Sequence, residues 1–150
     1  MTRSKTPWLA TKHPARQLAR LLGSWRVEVT LPGAERAIRG TATFRWLAQD
    51  ALMVLRSRVG GGVPTSVSVL GADDVNDAFA MQYSDERGVT RIYAMELTRT
   101  TWRLERRAPR FSQRFIGRFR ANGRVIAGEW QKSADGRRWQ HDLAMVYTRR

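Results

Sequence analysis

From Ser24 onward, apolar and polar side chains alternate along most of the chain, and a period of about two marks strands with one buried face. In "SWRVEVTL" the residues Trp25, Val27, Val29 and Leu31 share one face, with Ser24, Arg26, Glu28 and Thr30 on the other, before Pro32 and Gly33 turn the chain. "RGTATFRW" repeats the pattern with Ala42, Phe44 and Trp46. "ALMVLRSRV" follows, then the glycine run Gly60 to Gly62, then "TSVSVLG" with Val67 and Val69 as its apolar pair. "DAFAMQYS" aligns Phe79, Met81 and Tyr83, and "VTRIYAMEL" aligns Val89, Arg91, Tyr93, Met95 and Leu97. "TWRLER" sets Trp102 with Leu104, and "FSQRFIGRFR" sets Phe111, Gln113, Phe115, Gly117 and Phe119 against Arg114, Arg118 and Arg120. Asn122-Gly123 is a tight-hairpin signal leading into "RVIAGEWQK", and "SADG" turns into the last strand. Ahead of all this, Pro14 suits a first helical position, and Leu18, Leu21 and Leu22 keep helical spacing until Gly23.

About ten sequential strands joined mostly by short turns predict an all-β, up-and-down antiparallel barrel of about eight to ten strands with a short N-terminal helix. A two-sheet sandwich is the alternative, but it usually needs longer crossovers. Residues 1–12 read as a flexible arm and 13–150 as one barrel domain, a length that suits a single core. A barrel of this size can hold a small ligand, so the pattern points to binding before any motif does.

The closing hairpin supplies the candidate chemistry. If Ser133 to Gly136 form its loop, Lys132 pairs with Arg137, Trp130 faces Trp139, Gly128 faces His141 and Ile126 faces Leu143. The inward face is then Ile126, Gly128, Trp130, Trp139, His141, Leu143, Met145 and Tyr147. This reading makes Trp130 and Trp139 a paired plug and points His141 into the barrel beside a residue without a side chain. An imidazole there could hydrogen-bond a neighbour, contact a ligand, hold haem iron or act as a base. The same alternation turns Arg91, Tyr93, Gln113 and Tyr147 inward, with Tyr83 as a further candidate, among otherwise apolar groups. A few convergent polar groups in an apolar cavity are the usual lining of a ligand site. The candidate ligand-binding set is therefore Arg91, Tyr93, Gln113, Trp130, Trp139, His141 and Tyr147. A buried Arg91 needs a charge partner, either Glu96 or Glu105 at a rim or a ligand carboxylate.

No catalytic motif is present, so an enzyme of this kind, isomerase- or cyclase-like, would use His141 as base and Tyr147 as proton donor. The absence of cysteine excludes disulfides, thiolate metal sites and thiol nucleophiles. Asp73, Asp74, Asn76 and Asp77 lack the spacing of a calcium loop and read as an acidic turn. "VGGGVP" does not fit a phosphate loop; it reads as a flap at the barrel mouth or a plain turn.

The formal charge of +14 is nearly all arginine. The arginines are spread along the chain, so a nucleic acid or acidic partner on the Arg-rich outer face, through Arg114, Arg118 and Arg120, is the competing reading. No run reaches the roughly eighteen apolar residues of a membrane span, and the start lacks the apolar core of a secretory signal. The expectation is a cytoplasmic protein with a small apolar ligand, for which a homodimer is allowed. The start is also basic and free of acids until Glu28, as an organellar transit peptide is.

Two segments carry a family resemblance. "LLGSW", Leu21 to Trp25, resembles the Gly-x-Trp entry of lipocalin-like calycin barrels, and "WQKSADGRRWQHDLAMVYTR" resembles the closing hairpin of uncharacterised bacterial calycin-like proteins. The strand count is closer to fatty-acid-binding and nitrobindin-type barrels. The resemblance implies an interior binding site. Arg91 and Tyr93 are similar to the Arg-x-Tyr carboxylate clamp of fatty-acid-binding proteins, although that pair lies near the last strand there. A nitrobindin-like relationship implies haem ligation by a histidine near the chain end, here His141.

Overall fold

The structure, a computed structural model, describes residues 14–75 and 77–150, so the expected 1–12 arm and Asn76 lie outside the described residues. Ten antiparallel strands close into a barrel in the order β1-β10-β9-β8-β7-β6-β5-β4-β3-β2. They are β1 Gly23–Thr30, β2 Ile38–Ala48, β3 Leu52–Arg58, β4 Ser66–Asp73, β5 Ala78–Asp85, β6 Thr90–Leu97, β7 Thr101–Arg106, β8 Ser112–Arg120, β9 Val125–Ser133 and β10 Gln140–Arg149. Each strand pairs with its sequence neighbours, and β1 pairs with β10 to close the ring, so no edge is left unpaired. Strand β1 shows why the chain folds this way: Trp25, Val27 and Val29 are fully buried while Arg26 and Glu28 between them are exposed.

One end of the barrel is shut. A short 3-10 helix, Pro14–Leu21, buries Ala15, Leu18 and Leu21 across that end. The Trp25 indole N–H donates to Leu21 O at 2.9 Å, and Arg149 donates to Leu22 O and to Arg20 O while its guanidinium lies 4.1 Å above the Trp25 ring. Arg20 in turn donates to the carbonyls of Thr98 and Arg99 in the β6–β7 turn. Satisfied carbonyls at the helix end and a packed indole make this closure rigid. Above it, Trp25, Phe44, Trp102, Phe115 and Tyr147 meet mostly edge to face, with centroid spacings of 5.1 to 6.5 Å.

The opposite end is open, and there the ladders differ. The β6–β7 ladder runs only from Ala94–Glu105 to Leu97–Trp102, whereas β7 keeps pairing with β8 as far as Arg106–Gln113. Residues 90–93 of β6 therefore have no rung on the β7 side.

Two expectations about facing are corrected. Strand β4 is turned the other way: Leu70, Ser68 and Ser66 point inward, and Val67 is 41% exposed. Its register opposite Met53 and Met81 places Leu70 in the core, and the period of two then sends Val67 and Val69 out.

The closing hairpin is also wider than a four-residue loop. Gln140 pairs with Lys132 and His141 with Gln131, so the expected Lys132–Arg137, Trp130–Trp139 and Gly128–His141 pairs do not form. The six loop residues are organised by Asp135. Its Oδ1 accepts the Arg137 and Arg138 backbone N–H groups at 2.8 Å each, and the Ser133 hydroxyl at 3.0 Å. A bulge between His141 and Leu143 inserts Asp142, after which Leu143, Met145 and Tyr147 face inward as expected, opposite Trp130, Gly128 and Ile126.

The space at Gly128 is filled by a ring rather than left for His141. Gly128 pairs with Gly117, and a Cβ on Gly128 would lie 2.4 Å from the Phe115 ring and 3.2 Å from Gly117 Cα. Two facing glycines are what lets Phe115 lie flat against the sheet.

Candidate ligand cavity at the open end

A cavity of about 320 Å³ enters from the open end and reaches down to Trp102 and Tyr147. Its size falls within the range of small-molecule sites. The floor and one wall are apolar, formed by Trp102, Leu104, Phe115, Trp130, Leu143 and Met145. Trp130 packs against Phe115 at 5.3 Å and Tyr93 at 5.4 Å between ring centroids. Of the sequence-derived site residues, Arg91, Tyr93, Gln113, Trp130 and Tyr147 all line this space, as does Tyr83.

At the mouth, β5 and the turn that follows it place three polar groups together. The Tyr83 hydroxyl donates to Asp85 Oδ2 at 2.7 Å, and Arg87 donates to the same oxygen at 2.7 Å from the far side. Arg87 and the tyrosine hydroxyl hold the Asp85 carboxyl well below its usual range, against the opposing effect of desolvation. Burial, then the neighbouring carboxylate, push the Tyr83 phenol above its usual range. Arg87 is thus committed to a carboxylate.

Arg91 is not. Its guanidinium sits 5.3 Å from the Phe111 ring centre, and no described carboxylate pairs with it. Of the expected partners, Glu105 pairs with Arg107 at 3.0 Å, and Glu96 makes no ion pair among the described residues. Below Arg91, the buried Tyr93 hydroxyl donates to Gln113 Oε1 at 2.9 Å, which orients the amide. Burial raises the Tyr93 phenol, partly countered by Arg91.

Tyr147 is 5% exposed, lines the floor and has no hydrogen-bond partner among the described residues; burial alone pushes its phenol far above its usual range. It is therefore a protonated donor at any ordinary pH. The Trp102 indole N–H is buried without an acceptor, beside the rings of Phe44, Phe115 and Tyr147.

His141 and Trp139 are not in the cavity. His141 lies on the outer face, its side chain 46% exposed, with Nδ1 2.8 Å from Glu129 Oε1. That contact is the leading reason the Glu129 carboxyl lies below its usual range. Trp139 also lies outside, with the Arg114 guanidinium 4.2 Å and the Arg107 guanidinium 5.9 Å from its ring. The physical reason is the Asp142 bulge, which reverses the alternation so that Asp142, not His141, borders the cavity, 3.9 Å from Lys132 Nζ. Haem ligation from within the barrel and acid–base catalysis by His141 in the cavity both fall with this placement.

Sequence reasoning missed Arg87, Asp142 and three serines of the wall. Ser57, Ser66 and Ser68 line the cavity, with Ser66 9% and Ser68 2% exposed. The signal that could have found Ser66 and Ser68 is Leu70, which shares their parity on β4.

The outer arginines are unevenly placed. Register gathers Arg26, Arg39, Arg45, Arg56 and Arg58 on the outer side of β1–β3, where Glu28 alone opposes them, 3.7 Å from Arg39. On β8, Arg114 stands opposite Glu105 and Gln131, and Glu129 stands opposite Ile116. The described residues hold no acid and histidine cluster that could bind a metal, and no helix among them is long and apolar enough to cross a membrane.

No protein-family profile and no curated protein matches the chain. Among solved structures, it is similar to Rv2717c from M. tuberculosis, at 18% identity over 91% of this chain and 97% of that one, with a TM-score of 0.60. At that identity the likeness establishes a shared fold, the closed antiparallel barrel.

Proposed function

We propose that this barrel binds a small, largely apolar molecule in its open-ended cavity, in the manner of calycin-like intracellular binding proteins. The reading rests on one observation above all: above the packed aromatic layer, the open half of the interior holds a cavity of about 320 Å³. In this reading, Trp130 and Tyr147 contact the apolar body of the ligand. The Tyr93–Gln113 pair contributes one fixed polar contact. Arg91, the mouth cation without a carboxylate, meets an acidic group where the ligand has one.

Titration of the whole chain with an anilinonaphthalene sulfonate probe, followed by tryptophan quenching, tests it. Saturable binding is expected, and Arg91→Gln should weaken the anionic probe about tenfold while leaving a neutral apolar probe unchanged. A linear, unsaturable signal would overturn the reading.

A further inference from the structure

The two walls of the cavity differ in chemistry, and the difference bears on what kind of molecule fits. The β3–β4–β5 wall carries hydroxyls: Ser57 stands directly opposite Ser66, and Ser68 opposite Tyr83. Such cross-strand neighbours lie about 5 Å apart, so these groups form one hydroxyl-bearing patch. Ser66 and Ser68, 9% and 2% exposed as residues, border the cavity, and their hydroxyls have no hydrogen-bond partner among the described residues. The wall across from them, on β7–β10, presents the rings of Trp102, Phe115 and Trp130.

The opposite facing of β4 would bury Val67 and Val69 in place of the two serines but would turn Leu70 out to solvent, so the core position of Leu70 holds Ser66 and Ser68 on the cavity side. Leu55 and Met81 lie on the same wall, but a hydroxyl facing an alkyl chain loses its water and gains nothing, so an aliphatic ligand would leave both serines unpaired. A flat ligand with oxygens along one edge uses both walls: its face lies on the rings and its edge meets the serines.

Building on the proposed binding function, we infer that the ligand is a planar aromatic molecule bearing hydroxyl or carbonyl oxygens along one edge, not a fatty acid. The edge oxygens hydrogen-bond Ser66 and Ser68, the ring face packs on Trp102, Phe115 and Trp130, and Arg91 takes an acidic substituent at the mouth. The protonated Tyr147 hydroxyl offers a further donor at the floor. A cavity of about 320 Å³ has room for a two-ring aromatic acid.

The test uses the whole chain and three probes: naphthoate, a dihydroxynaphthoate and decanoate, each titrated by calorimetry. Dihydroxynaphthoate should bind about tenfold more tightly than naphthoate, the gain of two hydrogen bonds to buried groups, and decanoate should be weakest. In the Ser66→Ala/Ser68→Ala variant the preference should collapse to about twofold, through loss of dihydroxynaphthoate affinity while naphthoate affinity does not fall; Ser68→Ala alone, a milder change, should remove part of it. Equal binding of the two naphthoates by the native chain, tighter binding of decanoate, or a preference that survives in the double variant would each overturn the inference while leaving the cavity reading in place. Failure of all three probes to saturate would overturn the cavity reading and this inference together.

Discussion

At the scale of single residues, Gly128 and His141 change places in importance. Gly128 lies under the Phe115 ring, and a methyl group there would have to move an aromatic side chain that Trp102 and Trp130 hold from the other sides. Gly128→Ala should therefore lower stability by about 1–3 kcal/mol, read as a lower urea midpoint at unchanged slope. His141, half in solvent on an exposed ion pair, should matter little: His141→Ala should cost under about 1 kcal/mol and leave probe affinity unchanged. A large loss of binding in that variant would contradict the placement of the ring outside. Alternation turned Arg91, Tyr93, Gln113 and Trp130 inward because their strands run without a break, and Tyr147 because it lies beyond the β10 bulge. It failed for His141 and Trp139 because one inserted residue, Asp142, reverses every side chain between the loop and the bulge, and composition carries no mark of a bulge.

At the scale of elements, the β9–β10 loop depends on one carboxylate. Asp135 lies below its usual range because the Arg138 and Arg137 backbone N–H groups and the Ser133 hydroxyl donate to it. A carboxyl depressed on folding contributes stability above the unfolded value of 3.8, and that contribution is lost as pH falls through the lower folded value. Asp135→Ala should mimic acid at neutral pH, with faster amide exchange at Arg137 and Arg138 and an unchanged pattern in β1–β5. The strands themselves were legible because a period of two persists through most of them. Loop width was not, since four and six residues both connect the same pair of strands, and only the Asx hydrogen bonds select the longer one. The facing of β4 was hidden for a related reason: in "SVSVL" the valines and the leucine have opposite parity, and the partner strands decide between them.

At the scale of the whole molecule, the charge of +14 is a field with a direction. Arg26, Arg56 and Arg58 lie on a face with little acid, whereas Arg114 and its neighbours on β8 stand near Glu105 and Glu129. Replacing the first three by Gln should bring elution from a heparin column to clearly lower salt than replacing Arg114, Arg118 and Arg120. Equal shifts would mean that total charge, not its arrangement, governs attraction to polyanions.

The missing rungs between β6 and β7 add a kinetic consequence. The barrel should breathe readily along that seam, and amides of residues 90–93 facing β7 should exchange before the remainder of β6. A ligand seated beside Arg91 and Tyr93 would then find a wider exit each time the seam opens. Its residence time could be lengthened by fastening the seam, with no change to any group that touches it.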